Sequence, residues 1–226
     1  MKLRLTFFVF VFLHIHFLWG QELVLPPRIS VLQQYTSFGP VSINVRVWGW
    51  SSNGTVAIST EYSVVEGGQS INFLILDLNS NDALFQLWLN SFLAGDIEIM
   101  DEALYNANST AIVDALQTHS IIKQETAFLQ FPMTRNETVY DASIIDIEFE
   151  EDSLGDYSIA TYAIVVTAND RRTVIDNIRP FRADSVFIRG YFLSPVENRI
   201  VIVITELSGF QHGPRRLRFV GSYLGS

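Results

Sequence analysis

Hydrophobic and polar residues alternate with a period of two along much of this chain. Val41, Ile43, Val45 and Val47 are separated by Ser42, Asn44 and Arg46, the pattern of a strand with one buried and one solvated face. It runs into Trp48-Gly49-Trp50-Ser51-Ser52-Asn53-Gly54. Asn53-Gly54 predicts a hairpin, because both central residues of a type I′ turn need positive φ. Thr55–Val65 is then the returning strand, with Ile71–Leu78 and Ala83–Leu89 following across Glu66–Gln69 and Asn79–Asp82. Before this meander, Gln21–Gln34 predicts an opening strand at the surface, and Ser37–Pro40 a turn.

The period changes in the middle of the chain. Asn108-Ser109 can cap a helix with Ile112, Val113 and Leu116 on one face, ending near His119, and a turn or two of helix precedes it over Ile97–Tyr105. Phe128–Met133 is apolar but interrupted by Pro132. Strand pattern then returns. In Ser143–Glu150, Ile145, Ile147 and Phe149 point one way and Asp146, Glu148 and Glu150 the other. Tyr157–Thr167 is its partner across a turn at 153–156, Val174–Ile178 is a strand or one helical turn, and Ser185–Leu193, Arg199–Thr205 and Leu217–Tyr223 complete the set. The prediction is a mainly β fold, an antiparallel sandwich or open barrel of about eight to ten strands with a small helical insertion near 98–119.

The first twenty residues break both periods. Lys2 and Arg4 precede a short apolar run, and Gly20 is a small residue before Gln21, which together predict a secretory signal peptide cleaved at Gly20/Gln21. The run is short for a bilayer, which takes roughly 20 residues, and no later segment is long enough, so no stable span is expected after cleavage. Residues 21–226 are expected to form one β-rich domain, periplasmic or secreted. They carry 13 basic and 24 acidic residues, a formal balance of −11. That charge disfavours nucleic acid and anionic headgroups as partners. Cysteine is absent, which removes disulfides, a thiol nucleophile, zinc–thiolate sites and iron–sulfur clusters. Sequons at Asn53, Asn108 and Asn136 carry little weight in a chain so rich in Asn, Ser and Thr.

One stretch echoes another. Gly49–Ile58 resembles Gly190–Val201: strand, Ser-containing tight turn, strand. With Leu76-Asp77-Leu78, the first of these resembles a propeller blade of the "WSpDG…vlDl" type, although two echoes are fewer than the four blades a closed propeller needs. The closing block reads Gly190-Tyr191-Phe192-Leu193-Ser194-Pro195, Arg199–Val203, Gly209-Phe210-Gln211-His212-Gly213-Pro214 and Phe219-Val220-Gly221. With the early hairpin, it resembles a bacterial family of predicted secreted proteins of unknown function. The likeness covers about half the chain, and Gln211-His212 stands where that family has an acidic residue. It implies a periplasmic-type location and carries over no active site.

Candidate chemistry is sparse. There is no Gly-x-Ser-x-Gly and no phosphate loop, so no catalytic residue and no cofactor is assigned. His119 and His212 stand far apart, poor material for a metal site. Glu148, Glu150, Asp152 and Asp156 offer oxygen ligands that would suit Ca²⁺, with a solvated strand face as the plainer explanation. Arg215, Arg216 and Arg218 form a basic patch for an acidic partner, or a solubilising edge. Trp48 and Trp50, on one face by strand alternation, would make a stacking platform for a glycan if that face is open, and otherwise belong to the core. The leading expectation is a non-catalytic envelope module that binds a protein or glycan. The alternatives are a carboxylate-dependent hydrolase of envelope glycans using the 146–156 segment, and a Ca²⁺-stabilised structural module.

Overall fold

The computed structural model describes residues 23–36, 39–63, 69–91, 97–151, 157–169, 171–180, 182–207 and 216–225. The segment 1–20 read as a signal, the turn expected at 153–156, Asp152, Asp156, Gly209–Pro214 and Arg215 lie outside the described residues. The expected mainly β fold is present, as antiparallel sheets that do not close into a barrel. An amino-terminal sheet runs in chain order through β1 (Ile29–Thr36), β2 (Gly39–Trp50), β3 (Thr55–Ser63), β4 (Gln69–Asp77) and β5 (Ala83–Ser91). Two helices follow, α1 (Ile97–Ala107) and α2 (Ser109–Thr118), at the place expected for the insertion.

Two four-stranded sheets take up the rest. β7 (Met133–Arg135), β8 (Thr138–Glu151), β9 (Tyr157–Ala168) and β10 (Arg171–Ile178) form an outer sheet in the order β10-β9-β8-β7. β11 (Ser185–Leu193), β12 (Arg199–Leu207) and β13 (Arg216–Tyr223) join β6 (Phe128–Leu129) in a central sheet ordered β13-β12-β11-β6. Val174–Ile178, ambiguous in the sequence, is strand.

Three clusters of apolar side chains define the layering. Val45, Val47, Trp50 and Ile58 of the amino-terminal sheet meet Phe192, Val201, Val203 and Phe219 of the central one. Tyr162, Ile164 and Val166 of the outer sheet meet Ile200, Ile202, Ile204 and Val220 on the opposite face of the central sheet. Trp48, Phe73, Ile75 and Leu89 pack under Tyr105, Ile112 and Ala115 of the helices. The central sheet is thus covered on both sides. This is why Ile200–Ile204 is an unbroken apolar run rather than an alternating one: alternate residues serve alternate cores.

The same double coverage corrects the reading of β2. Asn44 and Arg46, placed on a solvated face by the sequence pattern, are buried beside Trp48 on the helix-covered side. The hairpin at Asn53-Gly54 exists, but as a four-residue loop. Ser51 N–H donates to the Thr55 carbonyl at 2.9 Å, and Gly54 alone of the loop has positive φ (83°). The two-residue turn with both residues at positive φ occurs instead at Asn136 (48°) and Glu137 (63°), between β7 and β8.

Candidate functional site

The two tryptophans proposed as a platform do not share a face. The β2–β3 register passes from Val47↔Ile58 to Gly49↔Ala57, so one extra residue sits in β2 at this point. A bulge of this kind reverses the alternation beyond it. Trp48 (4% exposed) therefore lies in the helix-side core, and Trp50 (1%) in the core between sheets. Each indole N–H is satisfied internally, Trp48 by Ser59 Oγ and Trp50 by Thr126 Oγ1, both at 2.9 Å. The bulge needs Gly49 (φ 152°): a Cβ there would stand 2.2 Å from the Ile122 carbonyl oxygen.

The basic patch is divided in a similar way. Arg218 Nε donates to Glu206 Oε1 at 2.8 Å, and the Tyr162 hydroxyl donates to the same oxygen at 2.7 Å. Arg216 is exposed and opposite Glu206 in the β12–β13 register. Burial and the Glu206 charge push the Tyr162 phenol far above its usual range, so this tyrosine is a fixed donor and not a proton carrier. The carboxylates of β8 are exposed. Thr161 donates to Glu148 Oε2 at 3.0 Å, and Glu150 lies 3.9 Å from Arg179. No group of three metal-capable side chains gathers among the described residues. Ile147 (44% exposed) and Phe149 (60%), which the alternation points away from the carboxylates, stand in solvent as well. Register slips on either side of Glu148, with Asp146 at φ 51°, carry this end of β8 off the regular pleat.

Sequence reasoning missed a buried ionic cluster under the helices. Glu61 (0% exposed) accepts from Arg28 Nε at 2.7 Å, from Arg46 Nε at 2.5 Å and from the Tyr105 hydroxyl at 3.1 Å. Arg28 also reaches Asp101 of α1, and Arg46 donates to the Pro26 carbonyl. The Tyr105 hydroxyl lies 2.6 Å from Ser59 Oγ, and burial beside Glu61 pushes its pKa well above the phenol range. Charges of both signs meet and are hydrogen-bonded, so the cluster ties α1 and residues 26–28 to the sheet. Glu61, Asp101 and Arg46 are buried in it, and Arg28 is partly exposed at its rim.

The open surface lies on β5. Phe85, Leu87 and Leu89 point to the helix-side core, which turns Leu84, Gln86, Trp88 and Asn90 to the other face. Trp88 is 53% exposed, and its indole N–H has no partner among the described residues. Asn72 sits directly opposite it on β4, with Leu74 opposite Gln86 and Ser70 opposite Asn90. Gln86 Nε2 donates to Asn72 Oδ1 at 3.0 Å, and Ser70 Oγ donates to Asn90 Oδ1 at 2.8 Å. An indole face is thus presented between an amide–amide and a hydroxyl–amide pair, on the part of the β4–β5 ladder that is regular, Phe85–Ser91.

No family model, curated protein or solved structure matches this chain. Its function must therefore be argued from this surface. The signal was present in the sequence. β5 alternates apolar with polar, and Trp88 falls on the polar half. Among the described residues, no helix is long and apolar enough to cross a membrane.

Proposed function

We propose that this chain is a non-catalytic, exported glycan-binding module whose stacking ring is Trp88. The observation that carries this reading is the ring's half-exposed position among neutral amides and a hydroxyl. A half-exposed indole offers a flat apolar face that a partner can cover, with a polar N–H at its edge. Sugars offer an apolar face for the ring and hydroxyls for the amides around it, which can both donate and accept. The amino-terminal segment, read as a secretory signal, accounts for delivery to glycan-bearing surroundings.

Tryptophan emission titrated with soluble polysaccharides tests the reading. Trp48 and Trp50 are buried, so a ligand-dependent change should be carried by Trp88 and disappear in Trp88→Ala. An unchanged titration in that variant would remove the assignment. Amino-terminal sequencing of the exported protein tests the delivery half, with Gln21 as the expected first residue.

A further inference from the structure

We propose that the bound ligand is the interior of an uncharged polysaccharide chain lying along β5, an inference that rests on the glycan reading above. Three observations point to it. Among the described residues, the polar side chains on the Trp88 face of the ladder are Ser70, Asn72, Gln86 and Asn90. None of them is charged. Carboxylated or phosphorylated sugars are held through charge-assisted bonds to Arg or Lys, and this ladder provides none. The remainder of the chain after the signal carries a balance of −11, which adds a repulsion against polyanions.

The second observation is the direction of the surface. Among the described residues β5 pairs with β4 alone and is the edge of its sheet. Same-face side chains recur about every 6.8 Å along a strand, which places Gln86 and Asn90 about 14 Å apart with Trp88 between them, and exposed Leu84 adjoins them at the slip opposite Ile75 and Leu76. Leu84, Gln86, Trp88 and Asn90 are all exposed, so the strip is open along its length. A pocket for a chain end would need walls around the ring. A strip instead accepts a polymer from either end and gains contact with each added unit.

The third is pre-organisation. The Asn72–Gln86 and Ser70–Asn90 bonds hold these side chains before any ligand arrives. They reduce the ordering cost on binding. Each amide retains further hydrogen-bonding capacity for a sugar hydroxyl.

The test uses the secreted chain with ladders of cello- and manno-oligosaccharides as uncharged probes. Oligogalacturonates serve as anionic probes and chitosan oligomers as cationic ones. Tryptophan emission is read at about 0.15 M salt, and again near 1 M to screen bulk charge. The expected result is binding of at least one uncharged ladder, with affinity rising until the oligomer spans about 14 Å and then levelling. Trp88→Ala should weaken it at least about tenfold, and Gln86→Ala or Asn72→Ala should each weaken it several-fold. A monosaccharide bound as tightly as the longest oligomer would overturn the interior-chain inference and leave the glycan reading standing. Preference for a charged ladder that persists at high salt would overturn the uncharged class. Binding of none of the probes would remove the glycan reading itself.

Discussion

Glu61→Gln should be among the most destabilising substitutions of similar size in this protein. The carboxylate is fully buried and faces two guanidinium groups, Arg28 at 2.7 Å and Arg46 at 2.5 Å. Glutamine keeps the volume and one acceptor oxygen. It loses the charge and sets an amide N–H₂ against an arginine donor. Removing one partner of a buried, hydrogen-bonded ion pair costs about 3–5 kcal/mol, because the remaining charge is left uncompensated. For a chain of this size each kcal/mol moves Tm by about 2–4 °C, so the expected fall is about 6–20 °C. Glu150→Gln is the matched control. Its partner Arg179 is 3.9 Å away, both side chains are more than two-thirds exposed, and such pairs contribute about 0–1 kcal/mol. Urea denaturation of both variants measures the difference as a shift in midpoint at constant slope. If Glu61→Gln costs no more than Glu150→Gln, the cluster under α1 does not carry the energetic role argued for it.

Gly49→Ala and Gly190→Ala should destabilise alike, by about 2 kcal/mol or more. Both glycines have positive φ, and an added Cβ would stand 2.2 Å and 2.3 Å from the carbonyl oxygens of Ile122 and Leu129; equilibrium unfolding of the two variants checks this. Asp176→Asn should stabilise at neutral pH. Burial raises the Asp176 pKa above its ordinary value, so the native state loses stability as pH rises through that raised value, and the variant's gain should vanish below the ordinary carboxylate range; melting curves against pH measure it. Trp88→Ala should leave stability within about 0.5 kcal/mol of the parent, while abolishing most of the iodide-quenchable tryptophan emission.

The strands were legible because their signals are local. Ser185–Leu193 follows from alternation and flanking turn residues alone, and the helix over 109–118 from its apolar face, although Asn108 at its N-cap makes no side-chain cap bond and donates instead to the Leu104 carbonyl at 2.8 Å. What was not legible depended on contacts distant in sequence. Arg46 reads as a solvated residue until α1, more than fifty positions later, covers it. The bulges matter more. One extra residue at Gly49 separates Trp48 from Trp50, and the slips around Glu148 expose Ile147 and Phe149. Strict alternation has no means of locating such a residue, so a platform assigned to Trp48 and Trp50 fails while every strand around it stands. The β4–β5 ladder has a slip of its own, at Leu84, but it is regular from Phe85 to Ser91, and there the alternation that places Trp88 holds.

The echo between Gly49–Ile58 and Gly190–Val201 has a physical basis deeper than turn chemistry. In both places the register slips at the glycine. In both, the serine that opens the loop donates its N–H to the carbonyl of the returning strand's first residue, Ser51 to Thr55 and Ser194 to Arg199, at 2.9 Å each. In both, a leucine just past the third strand donates back to the loop's last carbonyl, Leu78 to Gly54 and Leu224 to Asn198, at 2.8 Å each. The likeness thus extends over three strands on each side. It also explains the glycines. Residues 121–130 run past both sheets, pairing Ile122 with Trp50 and Leu129 with Tyr191. A chain can come that close beside the aromatic only where the preceding residue lacks a Cβ. The repeated Gly-aromatic pair is therefore the place where each sheet accepts this strap, and one segment meets both copies.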